Sequence, residues 1–488
     1  MEPHRYTRSS PWWSTRTWLT LLIATALVSC GSIPQAAAHD RRGKPPTNST
    51  LQAISRFDSQ SFDISDPTLT LVGTADFDAD DLDEVQRLWY ERLWRAVDAS
   101  IDDQVASAEE DNTYTAGRTI FLFNHTLLVG LRTTGDLAFL DAVDEVAQAM
   151  RAQLSDSWCG GVANSVDVNV RYGTVRSPDG FLNFRLRRGS DIHYCRDTGD
   201  LNETLTHGHL ALVMYAYHVN RDNPSPGGID YGERADFWLD YLRNHFEAKW
   251  RQRSNTAWPD MDFIDLKFCH TYHQMLMYYT YLGLRLHSDG DPAADVYLRQ
   301  SMRLTDGVFN VPYRAGQQPG GFIDVDTPLG EAVVYSFGAP GSSDTPETHL
   351  EACPVTYARY MLSSVLNLRL DAVAGWDDGI MQRIATGLAY FVVDTEPLTD
   401  KPRPFAAGVS GEETVRALPP TEYRDRVTID RFAATPFAAW SVWDASRTLE
   451  RSALEVYDAV EADSDDPRSV HLPAGMLLVA TLQALAIE

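Results

Sequence analysis

The sequence predicts a mainly α-helical fold in which helical hairpins form an (α/α) toroid. Two kinds of helical segment alternate along the chain, one apolar on a single face and one apolar nearly all round. The chain is 44% hydrophobic and 11% aromatic, which is enough to bury a large core. We expect about five to seven hairpins with inserted loops and minor β-ribbons, closed into a toroid or incomplete barrel and not an open superhelix.

The beginning of the chain indicates export. Residues 1–29 combine a basic flank with an apolar run from Trp18 to Val28, which is typical of a secretory signal peptide and short for a membrane span. The run leads into Leu27-Val28-Ser29-Cys30, which resembles a bacterial lipobox. We therefore expect a lipid anchor at Cys30, on the outer membrane or in the periplasm. Cleavage after Ala36-Ala37-Ala38, which would give a secreted protein, is the alternative.

The rest of the chain divides into a tether and one helical domain. Residues 30–70 are polar and rich in Pro, Ser and Thr, which predicts a flexible tether, and residues 71–488 form the predicted toroid domain. A first helix is predicted over Val85 to Ala99. Spacing of apolar residues predicts outer helices at 139–154, 238–250 and 380–391, and inner helices at 127–131, 210–219, 275–286, 357–370 and 437–443.

The net charge of −26 argues against nucleic acid as a partner. It would also repel an anionic polymer unless a local basic patch reversed the field. Such a patch is predicted where Arg185, Arg187, Arg188 and Arg196 lie close together in sequence. A solvated charged loop is the alternative interpretation.

The strongest indication of chemistry is a repeated arrangement of histidines at the predicted starts of buried helices. His207-Gly208-His209 comes before Leu212-Val213-Met214-Tyr215, and His270-Thr271-Tyr272 comes before Met275-Leu276-Met277-Tyr278. Asn124-His125 precedes Leu127-Leu128-Val129 in a related way. In an all-helical array this spacing predicts one polar pocket on one rim. For a single histidine, a packed ring bonded to a loop carbonyl is the alternative.

Together these features resemble the (α/α)-toroid polysaccharide lyases, which cut uronic-acid polymers with Asn, His, Tyr and Arg side chains in a cleft. The chain is most similar to the single-domain alginate and glucuronan lyases of polysaccharide lyase family thirty-eight, because its last segment, Leu472 to Ile487, predicts a helix and not a β-sandwich. The resemblance implies β-elimination on an anionic polysaccharide, with no cofactor and no metal.

The residues suit elimination chemistry. The uronate carboxylate must be neutralised, a base must take the C5 proton, and an acid must reach the leaving oxygen. We predict His207, His270 and Tyr272 as the catalytic groups, although a core position is the alternative for Tyr272. Asn124, His125 and Arg188 are predicted to bind the carboxylate. Further substrate-binding candidates are His209, His273, Trp258 and His349.

Three other functions fit the sequence. A glycoside hydrolase on the same fold would use two carboxylates from the set Asp260, Asp262, Asp265, Glu347 and Glu351. A zinc site could be made from histidines 207, 209, 270 or 273, although no HExxH motif supports it. A lipid-anchored sugar-capture protein would bind glycan without turnover.

Cysteine usage is compatible with export but leaves the redox state open. Apart from Cys30, four cysteines remain, which is an even number that allows two disulfides in three connectivities or free thiols. These are Cys159, Cys195, Cys269 and Cys353.

Overall fold

Helices make up most of the chain that the computed structural model describes. The described residues are 71–109, 113–154, 167–170, 173–176, 180–182, 184–186, 196–197, 200–264, 266, 269–310, 322–335, 355–371, 376–392, 440 and 443–449. They all belong to one compact unit, Arg56–Glu488, whereas the unit Met1–Ser55 lies outside them, as do the predicted signal peptide and tether. The mainly α-helical class is therefore confirmed.

The helices follow the apolar periodicity of the sequence. Their bounds are α1 Glu84–Glu109, α2 Thr113–Thr134, α3 Ala138–Ala152, α4 Asp200–Val219, α5 Tyr231–Tyr241, α6 Ala248–Ser254, α7 Cys269–Ser288, α8 Ala294–Asn310, α9 Val355–Leu370 and α10 Asp378–Gly387. A π-helical turn, Leu242–Glu247, joins α5 to α6, and another, Leu388–Val392, extends α10. No helix in the described ranges is long and apolar enough to cross a membrane.

Successive helices form antiparallel hairpins. In the α7–α8 hairpin, Tyr272 near the start of α7 bonds the Leu304 carbonyl in the second half of α8, while Gly283 near the end of α7 faces Leu298. In the α4–α5 hairpin, the ring of Tyr217 stacks near that of Tyr231, and His207 meets Tyr241. The α4–α5 hairpin thus pairs a predicted buried helix with a predicted amphipathic one, whereas α8, the partner of α7, was not among the predicted helices.

Four of the described helices, α2, α4, α7 and α9, form an inner set that runs in one direction. Helix α4 packs on both α2 and α7, and α7 packs on α9. At one level, Gln274 of α7 bonds Ser364 in the second half of α9, and Gly208 of α4 lies against Gln274. About two turns later, Tyr281 of α7 bonds Asp371 after α9, and the ring of Tyr215 in α4 lies 5.5 Å from that of Tyr281. Helix α2 follows the same order, because its His125 bonds Asn367 and its Arg132, two turns later, bonds Asp371. The same order at both levels makes the four helices parallel.

Because the inner helices are parallel, the short connections lie at one end of these helices and the long connections at the other. The connections from α2 to α3 and from α7 to α8 are short. In contrast, α3 ends at Ala152 and α4 begins only at Asp200, while α8 ends at Asn310 and α9 begins at Val355. The long segments therefore leave from the end where the inner helices begin, and loops at such an end are where binding residues commonly lie.

The described strands form three two-stranded antiparallel ribbons within these long segments, as the sequence predicts. Strand β1 Asp167–Val170 pairs with β2 Gly173–Arg176, β3 Arg185–Leu186 pairs with β4 Arg196–Asp197, and β5 Phe322–Thr327 pairs with β6 Gly330–Tyr335. The β5–β6 turn uses Gly330 at φ 126°, a conformation that favours glycine. Strand β6 packs against α10.

Two predicted helix starts are wrong. The sequence places Asn124-His125 and His207-Gly208-His209 where buried helices emerge from loops, but α2 already begins at Thr113 and α4 at Asp200. The polar and mixed residues before each apolar run are compatible with helix, so the helix continues through them. Only the third arrangement lies as expected, because His270 is the second residue of α7.

Candidate functional site

A chain of buried polar side chains connects the inner helices. Asn367 of α9 forms a hydrogen bond between its Nδ2 and Nδ1 of His125 in α2, at 2.9 Å. Its side-chain oxygen accepts from Arg132 Nη2 at 3.4 Å. Arg132 in turn donates to both carboxylate oxygens of Asp371, at 2.5 and 2.6 Å. We refer to His125, Asn367, Arg132 and Asp371 as the central polar chain.

The central polar chain is enclosed within the protein. The side chains of Arg132 and Asp371 are 0% and 1% exposed, and Tyr281 of α7 donates to Asp371 at 2.5 Å. Because a buried ion pair that loses one partner leaves an uncompensated charge, these residues are strongly interdependent. The pair therefore gives Asn367 and His125 a rigid support.

Two histidines of the inner helices remain neutral at physiological pH. Burial, reinforced by the positive charge of Arg132, lowers the pKa of His125 to about 3. Burial, together with the neighbouring His125, lowers the pKa of His209 to about 3. The two rings belong to α2 and α4, and these helices pack on one another. Neutral imidazoles can each donate one proton and accept another.

Asn124 directly precedes His125 in α2, and its amide has no hydrogen-bond partner among the described residues. The residue is 0% exposed, and neither its side-chain oxygen nor its nitrogen has a hydrogen-bond partner within the described ranges. An unsatisfied buried amide costs roughly 1–3 kcal/mol. Among the described residues, Oε1 of Gln274 in α7 also lacks a hydrogen-bond partner, although Nε2 of Gln274 donates to the Tyr360 carbonyl and to the Ser364 hydroxyl.

His207 lies on the opposite side of α4 from His209 and faces the outer layer. Its ring stacks on Phe246 with centroids 3.9 Å apart, and Nε2 is 2.8 Å from the hydroxyl of Tyr241. The residue is 1% exposed. These contacts are those of a histidine packed between α4 and α5, so the structure does not bring His207 together with His125.

Tyr272 and His273 also face outward from the inner set. The Tyr272 hydroxyl donates to the Leu304 carbonyl of α8 at 2.7 Å, and burial raises its pKa above the usual value. The ring of His273 lies 6.3 Å from that of Phe322 and 6.2 Å from that of Trp376. Tyr272 thus has a structural partner, and His273 lies in an aromatic environment.

Trp258 is the exposed aromatic among the predicted binding residues. It is 47% exposed and lies on the connection between α6 and α7, which leads to the beginning of an inner helix. The guanidinium of Arg251 is 5.2 Å from its ring, and the ring of Tyr297 is 5.7 Å away. Because nearly half of its surface is exposed, this indole is suited to stacking on a flat apolar ligand surface.

Several predicted residues lie outside the described part of the chain. Arg188, His349, Asp265, Glu347 and Glu351 do, and so do Cys30, Cys159, Cys195 and Cys353. The structure describes His270 and Cys269 only as the first two residues of α7.

Of the carboxylates predicted for a hydrolase, Asp260 and Asp262 are described, and both are on the surface. Asp262 pairs with Arg303, and Asp260 accepts from the Asp262 amide at 3.0 Å. Within the described residues, no group of three or more His, Cys, Asp or Glu side chains could hold a metal ion.

The sequence interpretation missed Asn367, Arg132, Asp371 and Gln274. The segment 357–370 has the apolar composition of a buried helix, although Ser363 and Asn367 within it and Asp371 directly after it recur at four-residue intervals. Such spacing places polar groups on one helical face. A search for polar stripes within buried helices would have found this face.

No protein-family model, curated protein or solved structure matches this chain.

Proposed function

We propose that this protein is a polysaccharide lyase that cleaves a uronic-acid polymer by β-elimination. The observation that carries the proposal is the buried amide of Asn124, which lacks a partner among the described residues and adjoins His125. A protein that keeps a buried donor unsatisfied loses stability, and a ligand that supplies an acceptor repays that loss. A carboxylate is such an acceptor.

The arrangement of the helices supports an (α/α) toroid as the framework. Parallel inner helices, each paired with an antiparallel outer helix, form the repeating unit of such a ring. The polar side chains project between the inner helices, and the long segments leave from the end where those helices begin. A polymer binding at that end would meet Trp258 on the α6–α7 connection.

The reaction requires three groups. Asn124 and His125 donate hydrogen bonds to the uronate carboxylate, which makes the C5 proton more acidic. A base takes that proton, the electron pair forms the C4=C5 double bond, and the C4–O4 bond breaks. An acid then delivers a proton to O4, so that one product carries the unsaturated sugar and the other a new hydroxyl.

His209 replaces His207 in the proposed assignment of base and acid. His207 is bonded to Tyr241, and Tyr272 to Leu304. His209 lies on the other side of α4 from His207, and α4 packs on α2, the helix that carries His125. A bound carboxylate would raise the pKa of His209, because a nearby negative charge favours the imidazolium form. His270, at the start of α7, remains the second acid–base candidate.

Substrate binding requires local opening. Asn124, His125 and His209 are 0%, 2% and 3% exposed, so side chains around them must move aside before a polymer reaches them. After binding, the same side chains would close around the polymer, and such closure excludes water from the reacting groups in many enzymes.

The direct test is an ultraviolet absorbance assay of the purified protein with alginates, glucuronan and other uronic-acid polymers, while reducing ends are measured in parallel. We expect both signals to rise together, since each elimination forms one C4=C5 bond at a new non-reducing end and one new reducing end. Reducing ends without the absorbance would show a hydrolase and contradict the proposed lyase. Saturable binding with neither signal would show that the protein captures glycan without cleaving it.

Variants identify the site within the same assay. His125→Gln and His209→Gln should each lower turnover by about 100-fold or more, the range of a lost acid–base or donor group. His287→Gln, at an exposed position of α7, is the matched control and should retain normal turnover. Normal turnover in both inner-helix variants would remove this site.

A further inference from the structure

We propose that Asn367 holds His125 in the tautomer that carries its proton on Nε2, with Arg132 and Asp371 fixing Asn367 from behind. The relevant contacts are those of the central polar chain, and they join residues of α2 to residues at the end of α9. The role of this tautomer in turnover rests on the proposed function, whereas the tautomer itself follows from the hydrogen bonds.

The orientation of the Asn367 amide is determined by its other two partners. Nδ2 donates to the Ser363 carbonyl at 2.8 Å, and a carbonyl can only accept. The side-chain oxygen faces Arg132 Nη2 at 3.4 Å, and a guanidinium can only donate. A flipped amide would place oxygen against oxygen and nitrogen against nitrogen, so the flip is excluded on both sides.

The remaining N–H of Asn367 determines the tautomer of His125. Nδ2 lies 2.9 Å from Nδ1 of the ring, and because Nδ2 is the donor, Nδ1 must be the acceptor. A neutral imidazole carries one proton, which is therefore on Nε2. The nearby positive charge of Arg132 and the burial of the ring both disfavour the doubly protonated form.

Arg132 and Asp371 keep this arrangement rigid. The guanidinium is bonded to both oxygens of Asp371, and Tyr281 also donates to that carboxylate. Arg132 therefore cannot turn away from Asn367 without breaking a buried ion pair. Asn367, Arg132 and Asp371 act as positioning residues, because they are expected to affect the substrate only through His125.

The consequence for the proposed reaction is a donor of fixed direction. With its proton on Nε2, His125 directs an N–H away from Asn367, as required for a hydrogen bond to a uronate carboxylate. The opposite tautomer would direct a lone pair at the anion and repel it. Supporting groups that fix a histidine tautomer are a recurrent feature of active sites.

The tautomer is tested by ¹⁵N NMR of the full chain labelled selectively on histidine. The His125 resonances are identified as those missing in His125→Gln. In the wild type we expect Nδ1 of His125 to be unprotonated and Nε2 to carry the proton. A protonated Nδ1 in the wild type overturns the proposal, and this measurement requires neither substrate nor a further variant.

Asn367→Asp tests the cause. The carboxylate has nearly the same shape but cannot donate, so Nδ1 of His125 should become protonated and its resonance should shift accordingly. Asn220→Asp is the matched control, since Asn220 is also 0% exposed and also donates to the carbonyl four residues earlier. It should leave the His125 signals as in wild type. Unchanged His125 signals in Asn367→Asp would overturn the causal role.

Activity separates this proposal from the proposed function. In an active lyase, Asn367→Asp should lower kcat by about 100-fold while KM changes much less, because the lost donor acts on the reacting carboxylate. If Asn367→Asp shifts the tautomer but leaves kcat unchanged, the catalytic role of the tautomer is wrong. If the wild type shows the expected tautomer but no turnover on any polymer, the proposed function fails and the tautomer assignment stands.

Discussion

Two asparagines of the inner helices share complete burial but differ in their hydrogen bonds. Asn220 donates to the carbonyls of Leu71 and Ala216 and accepts from the amide of Gly73. Asn124 has no side-chain partner within the described ranges. A satisfied buried amide stabilises a fold, whereas an unsatisfied one weakens it. At the residue scale, this contrast is what distinguishes a structural amide from a candidate ligand.

Asn124→Leu should therefore separate stability from turnover. The substitution keeps a similar volume and removes the unsatisfied amide, so the free energy of unfolding should stay the same or rise by about 1–2 kcal/mol. Turnover on a uronic-acid polymer should be lost. Urea unfolding and the absorbance assay measure the two effects. Asn220→Leu is the control and should lose several kcal/mol; a comparable loss in Asn124→Leu would contradict the interpretation.

The buried histidines predict a dependence of stability on pH. His125 and His209 have folded pKa values of about 3, below their ordinary value of 6.5. Between those values the unfolded chain binds protons that the folded protein excludes. Their stabilising contribution is thus complete above about pH 6.5 and declines as pH falls toward 3, by about 1.4 kcal/mol per pH unit for each ring.

Urea unfolding at several pH values between about 7 and 5 measures this decline. His125→Gln should reduce the pH slope by the equivalent of about one proton, because glutamine does not titrate. A variant slope equal to that of wild type would show that His125 is protonated in the folded protein over this range.

At the scale of helices, α4 and α7 approach one another closely at Gly208. A Cβ atom at this position would overlap the carbonyl oxygen of Gln274, and that oxygen belongs to helix backbone. Gly208 lies between His207 and His209, so the same approach sets how far each ring reaches toward its neighbours. Because Gly208 has an ordinary helical φ, the glycine is required for close packing and not for its backbone conformation.

Gly208→Ala should push α4 away from α7 and cost about 1–3 kcal/mol of unfolding free energy, as overpacking does. Gly379→Ala is the matched control in α10. Its nearest obstruction is a side-chain oxygen of Asp377 at 3.3 Å, and alanine favours helix by up to about 1 kcal/mol. Urea unfolding should show a loss only for Gly208→Ala; equal stability of the two variants would exclude a tight contact.

The existence of the helices was predictable, but one of their local irregularities was not. Residues 238–250 were predicted as one amphipathic helix, yet α5 and α6 are joined by a π-helical turn. The turn places Glu247 where Tyr278, Tyr297 and Arg251 all bond its carboxylate. Because those partners come from other helices or from the following turn, apolar periodicity contains no signal for the irregularity.

At the scale of the whole molecule, Arg132 and Asp371 join the first and last of the described inner helices. Asp371 directly follows α9, and its partner lies near the end of α2. The contact therefore connects α2 directly with the end of α9, two helices that are far apart in the sequence. A bidentate buried pair also restricts the relative positions of the two helices along their axes.

Arg132→Met should cost about 3–5 kcal/mol of unfolding free energy, because it leaves the Asp371 carboxylate buried without its counter-charge. The double variant Arg132→Met/Asp371→Leu should recover most of that loss, apart from about 1–3 kcal/mol for the Tyr281 hydroxyl. Arg87→Met, at the exposed pair with Asp80, is the control and should cost less than about 1 kcal/mol. A double variant no more stable than Arg132→Met would contradict this account.

The sequence by itself determined the mainly α-helical class and the alternation of buried and amphipathic helices, because these depend on the spacing of apolar residues within one segment. It also indicated Asn124, His125 and His209 as candidates. Only the tertiary structure decided that His207 faces Phe246 and Tyr241, which leaves His209 on the other side of α4. The rotation and axial position of each helix depend on the surfaces packed against it, and those surfaces come from distant parts of the chain.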